Sequence, residues 1–241
     1  MRNLRMRVSG TSDAVVVSFP KSGRTWLRFM LDQIGIPVRY THAGSDHVLR
    51  KNFDELTFPR AEFARKRVLF MLRDPRDTAV SGYFQATRRI HCFSGNMQDF
   101  LRDPRHGLEK IIRFNLMWLD AEADCKDFAV LRYQDLHADA PSEFARAAAF
   151  LCKRRLSEGK IERAVEAGKF ENMHALELSG KGGDTYGDIL SPKDPNDPDS
   201  FKVRRGKIGG WRDYFTPEDK IWAEDLIARY DYAKVEQADR D

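Results

Sequence analysis

The chain has 241 residues, 41% of them hydrophobic and 32% charged, with a formal net charge of +4. That length supports one substantial core, so a single domain over 1–241 is expected. No apolar run approaches a membrane span, and the basic start MRNLRMRVSG lacks the apolar stretch of a secretory signal, so a cytoplasmic location is expected. The mild positive charge suits an anionic ligand and is too small to argue for a nucleic-acid partner. Cys92, Cys125 and Cys152 show no CxxC pairing and read as reduced, structural thiols. The six histidines show no zinc-like spacing, so no metal site is assigned.

In chain order, the first element is AVVVSF (14–19), a β-branched run that suits a central strand of a parallel sheet. Pro20-Lys21-Ser22-Gly23 breaks the period, and Trp26, Phe29, Met30 and Ile34 then recur at helical spacing. The loop hands backbone N–H groups and the positive end of a helix dipole to one spot, which makes an anion site there. Taken alone, such a unit is common and usually binds nothing. It also departs from the Walker A order, because the Lys precedes the Gly.

Residues 37–42 read as a short strand ending at His42, and 43–66 as polar loop with some helix. RVLFML (67–72) is a second buried strand. Asp74 is the expected N-cap of the following helix, with Pro75 in its first turn. Residues 91–106 read as irregular. Leu108, Ile111, Ile112, Leu116 and Leu119 form a helical stripe, and FAVLRY (128–133) is a further strand. Phe144, Ala147, Ala148 and Leu151 mark another helix, and 161–167 continues helically. Residues 179–200, rich in Gly, Asp, Pro and Ser, read as a mobile loop. Thr216-Pro217-Glu218-Asp219 starts a last helix, with Ile221, Trp222, Leu226 and Tyr230 on its apolar face. Alternating strands and helices predict an α/β fold with a mainly parallel sheet.

Three basic stretches fall where such a fold gathers ligands, at the C-terminal ends of strands. They are Lys21, then Arg73 with Arg76, then Arg204-Arg205-Gly206-Lys207. Trp26 and Trp211 accompany two of them, so a base has a ring to stack on while phosphates meet cations. Singly, each is an ordinary surface arginine or core tryptophan. Together they predict a site for a doubly phosphorylated nucleotide.

On these residues the chain resembles the PAPS-dependent sulfotransferases. FPKSGRTWL resembles their phosphosulfate-binding loop, PKSGTTWL. RDPRDTAVSGYF resembles their 3′-phosphate motif, with Arg73 and Ser81 at its spacing of eight. VRRGKIGGWRDYFT resembles RKGxxGDWKNxFT. The resemblance implies a three-layer, P-loop-like α/β fold whose mainly parallel central sheet is flanked by helices. It implies PAPS as donor, PAP as product and no metal requirement. Lys21 is implied to contact the bridging oxygen and stabilise the departing phosphate, while Ser22, Gly23, Arg24 and Thr25 surround the 5′-phosphate, mostly by backbone N–H groups. Trp26 is implied to stack on adenine. Arg73 and Ser81, joined by Arg204, Arg205 and Gly206, are implied to hold the 3′-phosphate. Tyr133 in LRYQDL resembles the YEDL tyrosine that faces the nucleotide, and Phe170 in KFENM the SFxxM phenylalanine near adenine. His42, in YTHAG, resembles the KTH general base, with His47 and His91 in reserve.

The expected reaction is in-line sulfuryl transfer to a hydroxyl of a polar small molecule or carbohydrate. The alternatives are a P-loop phosphotransferase using ATP, a non-catalytic nucleotide-binding protein and a nucleic-acid binder. Several positions depart from the family pattern. Arg24 replaces a Thr, Tyr40 the Lys of KTH, Gly168 a hydroxyl residue and Gly210 the Asp of GDW. In the family's KxxxTVxxxE dimer pattern, Arg212 and Thr216 fit but Pro217 and Ile221 do not. The dimer is therefore not carried over. Residues 179–200 are expected to close over the donor.

Overall fold

Four short strands pair side by side, all parallel, in the order β2-β1-β3-β4. The computed structural model describes residues 13–45, 51–186 and 190–237. The chain opens with β1 (Ala14–Ser18), α1 (Arg24–Gln33) and β2 (Arg39–Thr41). It continues through α2 (Arg60–Phe63), β3 (Arg67–Leu72), α3 (Pro75–Phe84), α4 (Met97–Arg102), α5 (Leu108–Asp120) and β4 (Asp127–Arg132). There follow α6 (Tyr133–Ala138), α7 (Ala140–Cys152), α8 (Glu158–Ala167), α9 (Phe170–Leu178) and α10 (Lys181–Tyr186). The last helices are α11 (Pro217–Arg229) and α12 (Ala233–Gln237). Among the described residues, no helix is long and apolar enough to cross a membrane.

Both faces of the sheet are covered, which explains why its two central strands, β1 and β3, are apolar throughout. Side chains alternate between the faces. Val15, Val17 and Phe70 pack with Phe114 and Trp118 of α5 and Leu226 of α11. Ala14, Val16 and Met71 face the other way, onto Met30 of α1, Phe144 of α7 and Ala164 of α8. The result is a three-layer α/β architecture. The chain leaves β1 to form β2 on one side and returns to form β3 on the other. The strand order reverses between β1 and β3, and open parallel sheets leave a crevice at the C-terminal ends of the strands at such a point.

Four sequence expectations change. Residues 91–106 are not all irregular: Asn96 and Asp99 form a capping box that starts α4. Tyr133 opens α6 rather than closing β4. Residues 179–200 include α10 and a 3₁₀ turn, Pro198–Ser200, and Tyr186 and Leu190 bury themselves against Phe29 and Met173. Two apolar anchors thus fix a stretch whose polar composition suggests a loop. Finally, Ile221 is 62% exposed, and α11 buries Asp219, Ala223, Leu226 and Ile227. Asp219 takes an interior position because it completes the Thr216 capping box and pairs with Arg102 at 2.7 Å.

A buried ion pair holds the segment leading into the late basic loop. After α3 the helix widens into one π turn, Gln85–Arg89. This turn aims Arg89 at Glu177 of α9, 3.4 Å away, with both side chains almost fully buried. Arg89 also donates to the carbonyls of Ser191 and Ser200. Glu177 accepts from the backbone N–H of Lys202 at 2.7 Å and of Val203 at 2.8 Å. Removing one partner of such a pair leaves a buried charge. Glu177→Ala is therefore expected to cost about 3–5 kcal/mol of unfolding free energy, and Glu177→Gln less, as read by urea denaturation.

Candidate active site

Residues 19–23 join β1 to α1 at the C-terminal end of the sheet. Phe19 closes β1 into the core, and Lys21 adopts a left-handed backbone, φ 74°, which a non-glycine residue seldom does. Gly23 follows at φ 96°. A Cβ on Gly23 would meet Tyr133 Cδ2 at 2.5 Å, so here both conformation and space demand glycine. Gly23 caps α1 with no side-chain hydrogen bond, and no acid lies in the first turn. The first N–H groups of α1 and its positive dipole end thus serve the crevice. Ser22 is buried, and Arg24 and Thr25 are half-buried.

Cations converge on this loop from three elements. Arg73, ending β3, donates from Nη1 to the Lys21 carbonyl at 3.1 Å and lies 4.4 Å over the Tyr133 ring. Lys21 Nζ donates to Gln85 Oε1 at 3.3 Å. Burial, then Lys202, Arg89, Arg73 and Arg204, press the Lys21 ammonium well below its ordinary range. Burial, then Arg89 and Arg24, bring Lys202 down to about 8. Such a cluster of positive charge calls for an anion. Ser81 is half-buried on α3, one turn before Gln85.

Asp77 sets the late basic loop in place. Its carboxylate accepts from the backbone N–H of Gly209 at 2.8 Å and of Trp211 at 3.0 Å. Burial raises its carboxyl above the usual range, against the pull of Arg73 and these two N–H groups. Arg204 donates to Tyr214 Oη at 2.7 Å and Asp199 at 3.1 Å, and lies 4.0 Å over Phe84. Arg205 shares the Tyr214 hydroxyl at 3.0 Å and turns outward to Asp213. Gly206, at φ 61°, lies under Phe170; a Cβ there would be 3.0 Å from that ring. Phe170, stacked on His174, is one of the large apolar side chains left exposed.

Two expected ligand groups belong to the scaffold instead. Arg76 pairs with Asp74 at 2.8 Å and lies 4.8 Å over Trp211. Trp211 is buried in the core beside Phe215, so it offers no face to a base. Trp26 is half-buried, edge-on to Tyr133 and His137. Gly168 gives it room: a Cβ there would stand 2.7 Å from Met30 Cγ and 3.1 Å from Trp26 Nε1.

His42 follows β2 directly. Its Nδ1 is 2.6 Å from the carbonyl of Ser18, the last residue of β1. That carbonyl can only accept, so the proton is on Nδ1 and the lone pair of the neutral ring is on Nε2. Lys21 and His42 are therefore both hung from the end of one strand. The Ala43 carbonyl beside His42 is held by Trp118 Nε1 at 2.9 Å. His47 lies outside the described residues. His91 sits beyond the π turn, exposed and in a left-handed conformation. Gln85, Arg89, Glu177 and Lys202 were not singled out by the sequence. The four-residue spacing of Asp77, Ser81, Gln85 and Arg89 points to the first two of these, and no local signal points to Glu177 or Lys202. Among the described residues, no group of three His, Cys, Asp or Glu is placed to hold a metal ion.

In sequence and in fold the chain is similar to sulfotransferases. The model of the sulfotransferase domain family matches residues 56–233. The 3-beta-hydroxysteroid sulfotransferase of Cavia porcellus is 24% identical, over 89% of this chain and 83% of that protein. Cytosolic sulfotransferase 8 of Arabidopsis thaliana is 23% identical, over 86% of this chain and 73% of its own length. A mouse sulfotransferase complexed with PAP superposes with a TM-score of 0.64 at 18% identity, covering 91% of this chain and 83% of that one. Retinol dehydratase with retinol and PAP gives 0.65 at 21% identity, covering 91% and 81%. With nearly three-quarters of its length inside the family match, the chain belongs to the sulfotransferase domain family.

Proposed function

We propose that the chain moves the sulfuryl group of PAPS to a hydroxyl of a small polar molecule or carbohydrate and releases PAP, acting in the cytoplasm as one domain. The observation that carries this reading is the joint suspension of Lys21 and His42 from the end of β1, with Arg73 bonded across the crevice to the Lys21 carbonyl. The phosphate loop, Ser22 to Trp26, receives the 5′-phosphate. Arg73, Ser81, Arg204, Arg205 and Gly206 receive the 3′-phosphate. Trp26, Tyr133 and Phe170 flank the nucleotide. The names of the relatives and the PAP held by the solved neighbours support the donor.

The transfer is in line. The acceptor oxygen bonds to sulfur as the bond from sulfur to the bridging oxygen breaks, and that electron pair leaves on the phosphate of PAP. The acceptor proton goes to His42 Nε2, the nitrogen that the Ser18 contact makes basic. Negative charge grows on the departing phosphate, so an ammonium held against it lowers the barrier more than it tightens binding. The position of Lys21 suits that role.

Calorimetric titration with PAP, beside AMP and ATP and with EDTA present, tests the reading. Tight PAP binding with far weaker AMP supports the 3′-phosphate site, and no preference for PAP overturns it. Lys21→Ala is expected to lower turnover about a hundredfold to a thousandfold, or ~3–4 kcal/mol, in a steady-state assay. His42→Ala is expected to lower kcat by about 10²–10⁴ with PAP affinity nearly unchanged; full turnover at saturating donor would remove His42 from the role of base. The donor binds the charged form of Lys21 and of its neighbour Lys202, whose ammonium titrates at about 8. PAP affinity is therefore full below that pH and falls as pH rises through it, with proton uptake on binding. Titration in two buffers of different ionisation heat measures that uptake.

A further inference from the structure

Of the three thiols, two sit as structural cysteines do. Cys125 Sγ donates to the Ala121 carbonyl at 3.6 Å, and Cys152 Sγ to the Arg154 carbonyl at 3.3 Å. A carbonyl oxygen accepts a thiol proton in a hydrogen bond but cannot take it away, so both contacts favour the neutral thiol. Burial, then Asp124 and Glu122, push Cys125 up to about 11. Cys92 differs. It is exposed, and its Sγ lies 4.0 Å from His106 Nε2. Its backbone N–H donates to the Ala86 carbonyl at 2.9 Å, which ties it to the π turn.

His106 is fixed from several sides. Its side chain is almost fully buried, and its ring packs against those of Phe93 and Phe100, with centroids 5.5 Å and 5.6 Å away. Its Nδ1 is 2.8 Å from Asp103 Oδ1. Asp103 also accepts from the backbone N–H of Arg105 at 2.7 Å and of His106 at 3.0 Å. Against the effect of burial, His106 and Arg105 hold its carboxyl below the usual range. A carboxylate only accepts, so the ring proton is on Nδ1 and the lone pair is on Nε2, the nitrogen beside Cys92. Burial lowers the imidazole below its ordinary range against the pull of Asp103, and Arg105 and Lys110 add to the lowering. Burial raises the Cys92 thiol, against its own backbone N–H and Arg105. The resting pair is thus a neutral thiol beside a neutral base.

A nucleophile, a base within reach of it and an acid that orients the base form a relay that is recognised by geometry, whatever the fold. The contact between nucleophile and base is often long in the free protein and tightens as reaction begins. We propose that Cys92 is a thiol-exchange site for low-molecular-mass disulfides, with His106 as its general base and Asp103 as the residue that positions that base. The Cys92 sulfur bonds to one sulfur of the disulfide as the disulfide bond breaks, and the electron pair leaves on the second sulfur. His106 Nε2 takes the thiol proton and passes it to that leaving thiolate. The products are a mixed disulfide on Cys92 and one free thiol, and the disulfide itself is the only oxidant. The Asp103 carboxylate stabilises the imidazolium formed in between. The relay shares no residue with the proposed donor site and needs no nucleotide.

The test adds hydroxyethyl disulfide, which is uncharged, to the full chain, and follows and maps the mixed disulfide by mass spectrometry. The adduct is expected on Cys92 ahead of Cys125 and Cys152, and Cys92→Ser is expected to abolish it. An unassisted thiol reacts as its thiolate and gains ~tenfold in rate per pH unit below its own titration. Between pH ~7 and ~8, above the lowered His106 titration and below the raised Cys92 one, the wild-type rate is expected to rise less than threefold, because the base is already neutral. His106→Gln is expected to slow exchange at least tenfold at pH ~7 and to bring back the tenfold rise per unit. The proposal is overturned if the wild-type rate climbs threefold or more over that unit, if Cys92 does not react, if the adduct forms first on another cysteine, or if His106→Gln keeps the wild-type rate. Should that variant fail to fold, the wild-type profile and the mapped site decide.

Discussion

Uncompensated positive charge at one end of a parallel sheet is the condition around which this protein is built. Lys21, Arg24, Arg73, Arg89, Lys202 and Arg204 act on one another across the crevice. Like charges in a partly buried setting repel, so the scaffold must hold them together before an anion arrives. Part of the bracing comes from acids behind the site. Glu177 holds Arg89, Asp199 holds Arg204, and Asp213 holds Arg205 and Lys207. Asp77 contributes differently, by gripping the backbone at Gly209 and Trp211. Arg24 Nη1, by contrast, is buried with no hydrogen-bond partner among the described residues.

This arrangement gives a pocket that is organised in advance. Fixed cations need no reorganisation when charge shifts during reaction, and that is where electrostatic stabilisation is most effective. Its cost is visible in the left-handed backbone of Lys21, a conformation kept by contacts on both sides: Gln85 on the side chain, Arg73 on the carbonyl.

Local chemistry explains which parts were legible in the sequence. β1 and β3 announce themselves because both faces of a covered sheet are apolar. Asp74-Pro75 and Thr216-Pro217 announce helix starts because caps are written in neighbouring residues. The site motifs were legible because loop, strand end and late loop each carry a local signature. What the sequence hid is non-local. Nothing near Arg76 says that Trp211 will lie under its guanidinium. Glu177 reads as one helix surface acid among several until Arg89, 88 positions away, is brought against it. Asp219 and Ile221 trade their expected environments because a cap and Arg102 draw the acid inward. Residues 179–200 looked uniformly polar because two anchors, Tyr186 and Leu190, are few among many.

The π turn after α3 sets the spacing of the whole site. Asp77, Ser81, Gln85 and Arg89 come from one continuous helical rod, four residues apart. They serve, in turn, the late-loop backbone, the proposed 3′-phosphate position, Lys21 and the Glu177 brace. In a regular α-helix each step of four drifts by ~40° around the axis, so such a row soon leaves any one face. A wider turn takes up part of that drift. The rod thus works as a ruler with four marks. A single residue gained or lost between Asp77 and Arg89 would swing every later mark by ~100°. Homologous chains should therefore tolerate changed side chains on the outer face of this rod far better than a changed length.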